Sequence, residues 1–170
     1  MRLSINGRPR ALPVAKQKLI KTGDNAPGSK SAKLNQAGAA NVAGNPTKTI
    51  LVIDDASLVR LYYRSTLEAA GFKVEEAMNG IEALEKLLEK PVDLLVVDVN
   101  MPQMDGFTFL TSLRQKDTAI SSIPALITST ESGQKDFEAA RAAGANYYLV
   151  KPIQPQTLVE YASLFCGLRR

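Results

Sequence analysis

The stretch LLVVDVNMPQMDG occupies residues 94–106. Its first four residues, 94–97, are all apolar, as expected for a strand buried on both faces of a parallel sheet. Asp98 follows directly, and a charged side chain is costly in the core that the apolar run predicts. This stretch therefore predicts a buried strand that carries a carboxylate to the edge of a sheet.

Short apolar runs and helical patterns alternate along the chain on both sides of this stretch. We predict strands at residues 49–53, 73–77, 94–97, 123–127 and 146–150. We predict helices at residues 57–70, 80–90, 107–115, 134–143 and 156–165. Asn79 is placed to cap the second helix, and Gly71 and Gly144 are placed to end the first and the fourth. This alternation predicts βαβ crossovers, and hence an α/β fold whose parallel sheet is covered on both faces.

Apolar residues at helical spacing predict which side of the first two helices faces the sheet. In the first helix the predicted inward residues are Leu58, Leu61 and Leu67. In the second helix they are Ile81, Leu84, Leu87 and Leu88.

Polar residues follow four of the five predicted strands. Asp54 and Asp55 follow the first strand, and Asp98 follows the third. A Thr-Ser-Thr run at residues 128–130 follows the fourth strand, and Lys151 follows the fifth. The carboxyl ends of parallel strands meet at one edge of the sheet, where ligands bind to such folds. We therefore expect three carboxylates, one ammonium and several hydroxyls to converge there.

These side chains suit phosphoryl chemistry. Three crowded carboxylates raise one another's pKa, so a positive charge is needed to keep them ionised, and Mg²⁺ prefers such oxygen ligands. A carboxylate in this setting can attack phosphorus to give an aspartyl phosphate, while Lys151 holds another phosphoryl oxygen. Taken singly, Asp55 could cap a helix, and Asp105–Gly106 is a common turn sequence. The occurrence of these residues at the ends of different strands favours a site.

The composition excludes several kinds of catalytic and metal site. The 170 residues include 21 Lys+Arg and 17 Asp+Glu, for a formal net charge of +4, with no His and one Cys. A chain without His has no Ser-His-Asp triad, no His-ligated zinc site and no phosphohistidine of its own. One Cys forms neither an internal disulfide nor a thiolate cluster.

No stretch approaches the roughly 20 apolar residues of a membrane span, and no secretory signal opens the chain, so we predict a cytoplasmic protein.

The charge is distributed unevenly along the chain. Residues 1–48 contain nine basic residues, one acidic residue and no aromatic residue, a net charge of +8. Residues 49–170 contain 12 basic and 16 acidic residues, a net charge of −4. We predict a disordered basic tail at residues 1–48, with a short helical turn near residues 12–20, before a folded domain at residues 49–170. We interpret the tail as a solubilising extension; the alternative is an arm that binds nucleic acid or an anionic membrane.

Four motifs of this sequence resemble those of a known family. IDD at 53–55, VDVNMPQMDG at 97–106, STE at 129–131 and YLVKP at 148–152 are similar to the receiver domain of bacterial two-component response regulators. The resemblance covers residues 49–170 and is of the chemotaxis-regulator type. It implies a doubly wound, flavodoxin-like sheet of five parallel strands in the order 2-1-3-4-5, with five helices.

The resemblance also implies roles for individual residues. Asp98 corresponds to the phosphoacceptor of the family, and Lys151 corresponds to the lysine that contacts the phosphoryl group. Asp54 and Asp55, together with Asp98 and the backbone carbonyl of Asn100, correspond to the ligands of Mg²⁺. The Lys-Pro bond at residues 151–152 is usually cis in this family.

Two further positions correspond to the switch residues of the family. Ser129 matches the hydroxyl that hydrogen-bonds the phosphoryl group and draws its loop inward, with Thr128 as the alternative. Tyr148 matches the aromatic residue that becomes buried as that loop moves, and Tyr147 is adjacent to it. Strand alternation lets only one of the two tyrosines lie on the switch side.

Asn100 and Glu131 match the positions that influence how water approaches the acyl phosphate. The same pairing of Asn and Glu occurs in chemotaxis-type regulators, which lose their phosphoryl group quickly. We therefore expect a short-lived phosphorylated state.

The resemblance implies a phosphoacceptor that catalyses its own phosphorylation and dephosphorylation, and not an enzyme with a separate substrate. The expected donors are a histidine kinase, a histidine phosphotransfer protein or a small acyl phosphate.

No output domain is expected after the last helix, so output is expected through contact with a protein target at the face of helix 4, strand 5 and helix 5. The alternatives are a phosphorelay intermediate or phosphate sink, and a receiver that controls the basic tail; nucleic acid is not the expected partner, because the tail lacks aromatic residues. A metal-dependent aspartyl phosphatase is disfavoured, because such enzymes usually have a D-x-D pair and Asp98 is followed by Val99 and Asn100.

Overall fold

The computed structural model describes residues 47–168. The predicted turn near residues 12–20, and the predicted tail up to residue 46, lie outside the described residues. Within the described range, no helix is both long enough and apolar enough to cross a lipid bilayer.

The centre of the fold is a five-stranded parallel sheet. Its strands are β1 (Thr49–Ile53), β2 (Lys73–Ala77), β3 (Leu94–Asp98), β4 (Ala125–Ser129) and β5 (Tyr147–Val150). They are hydrogen-bonded in the order β2-β1-β3-β4-β5, and every neighbouring pair is parallel. The order confirms the prediction. The strand order reverses between β1 and β3, whose carboxyl ends therefore lie side by side at one edge.

Four helices connect the strands, and a fifth follows β5. They are α1 (Ser57–Ala69), α2 (Gly80–Glu89), α3 (Gly106–Arg114), α4 (Gln134–Ala143) and α5 (Pro155–Phe165). As predicted, the Asn79 side chain caps α2 by accepting a hydrogen bond from the backbone N–H of Glu82, and Gly144 ends α4 with a φ of 94°. A one-turn helix at Thr118–Ser121 was not predicted, because four residues are too few to show helical periodicity.

Alternate residues of each strand contact opposite layers of helices. Leu51, Ile53 and Val97 belong to a core cluster that includes buried residues of α2, α3 and α4. Ile50 and Val52 belong to a second cluster that includes buried residues of α1 and α5. This division explains why residues 50–53 of β1 and 94–97 of β3 are all apolar, since both faces of the sheet are covered there, whereas the edge strand β2 (KVEEA) is partly exposed.

Four side chains predicted to face the sheet are exposed instead. They are Leu58 (78 % exposed), Leu61 (58 %), Ile81 (44 %) and Leu88 (74 %). The inward side of α1 carries Tyr63 and Leu67, and that of α2 carries Ala83 and Leu87. Leu67 and Leu87 are buried as predicted, and Leu84 packs against the core, so the spacing was right for these three residues and wrong for the four exposed ones.

The fourth strand lies two residues later than predicted. It spans Ala125–Ser129 and not residues 123–127, so Thr128 and Ser129 are part of the strand and are fully buried. Pro124 has no N–H for the ladder, although its carbonyl accepts a hydrogen bond from the N–H of Leu95. The apolar pattern missed the end of the strand because its last two residues are hydroxyl residues.

Candidate functional site

Three carboxylates meet at the carboxyl edge of the sheet. Asp54 and Asp55 follow β1, and Asp98 is the last residue of β3, which pairs with β1 so that Ile53 lies opposite Val97. One oxygen from each carboxylate lies within 4.8 Å of the others. Asp54 and Asp98 are buried, and Asp55 is exposed. The predicted convergence of the three acids is therefore present.

Lys151 bridges the two buried acids. Its Nζ atom is 2.7 Å from Asp54 Oδ2 and 2.7 Å from Asp98 Oδ1. Its backbone N–H donates to the carbonyl of Ser129 at 2.8 Å, which fixes the residue beyond the end of β5. The Lys151–Pro152 peptide bond is cis, as the family resemblance implied.

The ionisation of this group reflects burial and mutual pairing. Burial raises the pKa of the Asp98 carboxyl, and the neighbouring Asp54 adds to this, so that the pKa stays above its ordinary value despite the pairing with Lys151. Burial lowers the pKa of Lys151, but hydrogen bonds to Asp54 and Asp98 outweigh burial and raise it overall. One ammonium thus pairs with two buried acids beside a third carboxylate, and the excess of negative charge is suited to a divalent cation.

The three hydroxyl residues after the apolar part of β4 differ in their surroundings. Thr128 lies opposite Asp98 in the sheet, and its hydroxyl donates to the carbonyl of Val97 at 3.4 Å. The Ser129 hydroxyl accepts a hydrogen bond from the backbone N–H of Glu131 at 3.1 Å. Ser129 is thus the hydroxyl residue that contacts the loop after β4, which is the location expected of the switch residue.

The two adjacent tyrosines of β5 lie in different environments. Tyr148 donates its hydroxyl hydrogen bond to the carbonyl of Glu131 at 3.1 Å, and its ring meets that of Phe137 edge-on at 4.6 Å. Tyr147 stacks on Tyr161 at 4.2 Å, on α5. Tyr148 is therefore the tyrosine that touches the loop after β4.

Asn100 and Glu131 lie two residues after Asp98 and Ser129, as the sequence requires. The nearby backbone N–H of Asn100 lowers the pKa of the Asp98 carboxyl and so favours its ionised form. Glu131 is exposed, and its backbone joins Ser129 to Tyr148. Asn100 thus acts on the Asp98 carboxylate, whereas the contacts of Glu131 are with Ser129 and Tyr148.

Two residues at this edge were missed by sequence reasoning. Arg60, on α1, donates from Nη1 to the backbone carbonyls of Asp54 (2.7 Å) and Asp55 (3.1 Å). Gly106 approaches β3 so closely that a Cβ atom there would lie 2.3 Å from the carbonyl oxygen of Asp98. The Asp105–Gly106 pair, interpreted as a turn, in fact starts α3, with the Asp105 side chain as its cap. No pattern in a single sequence indicates such contacts with the backbone, since they depend on how the elements meet.

Comparison with known proteins agrees with this geometry. The family model for the response regulator receiver domain matches residues 50–163. The chain is 38 % identical over 120 residues to the chemotaxis protein CheY1 of Helicobacter pylori, covering 69 % of this chain and 96 % of that protein. It is also 38 % identical over 116 residues to the transcriptional regulatory protein PrrA of Mycobacterium bovis, covering 68 % of this chain and 48 % of that protein.

A solved structure shows the same fold. The chemotaxis protein CheY4 of Vibrio cholerae is 34 % identical and superposes with a TM-score of 0.67, covering 71 % of this chain and 99 % of that one. The family match includes all of the sheet except its first residue, together with the three acids and Lys151. The chain therefore belongs to the response regulator receiver domain family.

Proposed function

We propose that this protein signals through reversible phosphorylation of Asp98, with a phosphohistidine on another protein as the donor. The observation that supports this most directly is the position of Lys151 Nζ, 2.7 Å from a carboxylate oxygen of both Asp54 and Asp98. A structural ion pair needs one acid for one base. Here two buried carboxylates, Asp54 and Asp98, share one ammonium. This excess of negative charge suits a site that binds a cation and then a phosphoryl group.

In the proposed reaction, a carboxylate oxygen of Asp98 attacks the phosphorus of the donor. The P–N bond to the donor imidazole breaks as the new P–O bond forms, and the imidazole leaves with the electron pair of the broken bond and takes up a proton. Lys151, released from the carboxylate oxygen it contacts, then holds a phosphoryl oxygen as a point charge.

The donor atoms at this edge fit Mg²⁺. Asp54, Asp55, Asp98 and the backbone carbonyl of Asn100 would hold the ion, and all four offer oxygen, which Mg²⁺ prefers. A bound Mg²⁺ supplies positive charge against the phosphoryl group, in addition to that of Lys151. Because one oxygen of each acid lies within 4.8 Å of the others, the strands need not rearrange to share one cation.

Dephosphorylation is proposed to occur by attack of water on the acyl phosphate. Asn100 and Glu131 follow Asp98 and Ser129 by two residues, and their amide and carboxylate side chains are proposed to hydrogen-bond a water that approaches Asp98. We propose a short lifetime on this basis. Label followed over time on the isolated protein tests it, and persistence of the label for many hours would contradict it.

The switch is proposed to run through the loop after β4. Ser129 Oγ accepts from the N–H of Glu131, and the carbonyl of Glu131 accepts from Tyr148. If the Ser129 side chain rotates to donate to the phosphoryl group, its oxygen moves away from the N–H of Glu131 and that hydrogen bond is lost. The loop and Tyr148 then move to a second arrangement. A phosphoryl group therefore shifts the population of the loop by giving Ser129 a new partner.

Two exposed surfaces are assigned to partners. The face of α4, β5 and α5 carries Tyr148, Phe137 (38 % exposed) and Val150 (40 % exposed). We propose that a downstream protein binds this face, with an affinity that depends on the position of Tyr148. The outer side of α1 exposes Leu58 and Leu61 beside the acidic loop. The chain has no His, so the phosphohistidine belongs to another protein. We propose that this histidine kinase or histidine phosphotransfer protein docks on the apolar outer side of α1.

Labelling with acetyl phosphate and Mg²⁺ tests the phosphoacceptor. We expect Asp98→Asn to abolish incorporation, because the amide nitrogen and oxygen of Asn are poor nucleophiles. Asp93→Asn is the matched control, since Asp93 lies at the opposite edge of the sheet and pairs with Lys48. Undiminished labelling of the Asp98 variant would refute the proposal.

A binding experiment separates a signalling adaptor from a phosphorelay intermediate. The wild-type protein and Asp98→Asn are each exposed to acetyl phosphate and then used to capture partners from the source cell. Capture of a protein that is not a kinase or phosphotransfer protein, by the labelled wild type alone, supports the adaptor. Capture of kinases and phosphotransfer proteins only would favour the relay or phosphate sink.

A further inference from the structure

We propose that Arg60 is a positioning residue for the Mg²⁺ site, an inference that rests on the proposed function. Arg60 lies on α1 and contributes no ligand of its own. Its Nη1 atom donates to the carbonyl oxygens of Asp54 at 2.7 Å and Asp55 at 3.1 Å. These two carbonyls belong to the peptide groups on either side of the Asp55 Cα atom. One nitrogen therefore fixes the backbone before and after the exposed acid.

The two acids of this loop differ in what else restrains them. The Asp54 carboxylate accepts from the backbone N–H of Ala56 at 2.9 Å and from Lys151 at 2.7 Å. The Asp55 side chain is exposed, and within residues 47–168 its carboxylate has neither a hydrogen-bond donor nor an ion-pair partner. The direction of the Asp55 Cα–Cβ bond is set by its backbone, and Arg60 holds that backbone.

Arg60 is itself held in place. Its side chain is only 16 % exposed, and its Nε atom lies 3.7 Å from Glu76 Oε2, on β2. Glu76 also pairs with Arg64, whose Nε atom is 3.2 Å from Oε1. The β2 carboxylate therefore positions two arginines of α1, of which Arg60 is the one that contacts the acidic loop.

This arrangement matters for Mg²⁺ because the ion demands nearly ideal octahedral geometry. If the Asp55 carboxylate occupies several positions in the free protein, it must be ordered when Mg²⁺ binds. The entropy lost in ordering it lowers the affinity for the ion. Removal of the Arg60 side chain frees both carbonyls and leaves Asp55 without the restraint. We expect Arg60→Ala to weaken Mg²⁺ binding about tenfold, equivalent to about 1.4 kcal/mol.

Arg64→Ala is the matched control. Arg64 lies one turn along the same helix and contacts the same Glu76, but its charged partners are Glu76 and Glu68 and not the acidic loop. We expect its Mg²⁺ affinity to stay within about twofold of the wild type, since exposed ion pairs contribute little. Arg60→Gln serves as a second variant, because it keeps a polar side chain on the helix but is too short to span to both carbonyls.

The experiment is calorimetric titration of the full chain with MgCl₂, with thermal unfolding of each variant in EDTA as the measure of folding. The inference predicts weaker binding by Arg60→Ala and Arg60→Gln than by Arg64→Ala, at comparable unfolding temperatures. If the wild type binds Mg²⁺ and takes up label, while the Arg60 variants bind as tightly as Arg64→Ala, the role of Arg60 is overturned and the proposed function stands. If the wild type binds no Mg²⁺, the metal-dependent function itself fails.

Discussion

At the amino edge of the sheet Lys48 pairs with a single acid, Asp93, whereas at the carboxyl edge Lys151 pairs with two buried acids and a third carboxylate lies beside them. Lys48 Nζ lies 2.8 Å from Asp93 Oδ1, and the other oxygen of Asp93 accepts the N–H of Thr49 at 2.8 Å. At the carboxyl edge, Asp54 and Asp98 both depend on Lys151. The same sheet thus has a balanced ion pair at one edge and more carboxylates than ammonium groups at the other. The edge with surplus negative charge is the one suited to a ligand.

The amino edge also contains an arginine that completes the hydrogen bonding of the backbone. Arg114, at the end of α3, donates to the carbonyls of Ser121 (2.7 Å), Ile123 (2.8 Å) and Gly144 (2.9 Å). These carbonyls belong to the segments that lead into β4 and β5. If the comparison is correct, disturbance of the amino edge should cost stability alone, and disturbance of the carboxyl edge should also cost phosphorylation.

The largest loss of stability is expected for Arg114→Ala. It leaves three carbonyls of partly buried segments without their charged donor, which should lower the free energy of unfolding by about 3 kcal/mol. Labelling of the folded protein by acetyl phosphate should be unchanged, because the acidic site is at the other edge. Urea denaturation measures the loss, with Arg141→Ala, an exposed arginine on α4, as the control that should change little. A fall in labelling of the folded Arg114 variant would break the comparison.

A smaller loss of stability, accompanied by a loss of phosphorylation, is expected for Gly106→Ala. Its Cβ atom would lie 2.3 Å from the carbonyl oxygen of Asp98, so the backbone beside the proposed phosphoacceptor must move, at a cost of about 2 kcal/mol. Gly133→Ala is the control, because its Cβ atom would meet only the side-chain oxygen of Asp136. Denaturation and labelling are measured on both. Normal labelling of Gly106→Ala would mean that the position of the Asp98 backbone is not important to the reaction.

Tyr148→Phe should cost about 1 kcal/mol or less, because one partly exposed hydrogen bond is lost. Labelling should persist, but the loop after β4 loses its bond between Tyr148 and the Glu131 carbonyl. We expect the amide NMR signals of residues 129–131 to shift before phosphorylation in this variant. Tyr147→Phe loses a similar bond, to the hydroxyl of Tyr161, and should leave these signals in place. Equal shifts in the two variants would contradict the assignment of Tyr148.

The smallest effect is expected for Asp93→Asn, and it depends on pH. Burial raises the pKa of the Asp93 carboxyl, but hydrogen bonds from Lys48 and the N–H of Thr49 outweigh burial and hold it below its ordinary value. The ionised carboxylate therefore stabilises the fold by less than about 1 kcal/mol at neutral pH. This stability is present above the unfolded pKa of about 3.9 and is lost as the pH falls through the lower folded value.

Chemical denaturation of the wild type and Asp93→Asn as a function of pH measures this effect. The difference in free energy of unfolding should be constant between pH about 5 and 8 and should close in stronger acid. A difference that grows on acidification would have the wrong sign for a carboxyl whose pKa is lowered by folding.

The predictions made from the sequence succeeded where the signal is local and failed where it depends on contacts between elements. The apolar runs, the Asn79 cap and Gly144 identified strands and helix ends, because each acts within a few residues. The inward sides of α1 and α2 were only partly right, since Leu67 and Leu87 are buried as predicted but Leu58 and Ile81 are exposed. Which stripe is buried is determined by packing, and the spacing of residues does not contain that information.

The candidate site shows the same division. The acids and Lys151 were predictable, because each stands directly after a buried strand and parallel topology brings strand ends together. Arg60 and Gly106 were not, because both act on backbone atoms distant from their own elements. The boundary of the basic tail and the roles assigned to the site residues remain predictions.

The central claim, that the unbalanced edge is a phosphoacceptor site at Asp98, is tested most directly by locating the phosphoryl group. The protein is treated with acetyl phosphate and Mg²⁺, the acyl phosphate is reduced with borohydride, and the peptides are identified by mass spectrometry. Reduction converts a phosphorylated aspartate to homoserine. The account predicts homoserine at residue 98 and aspartate at residues 54, 55 and 93; homoserine at any of those three positions, with Asp98 unmodified, would contradict it.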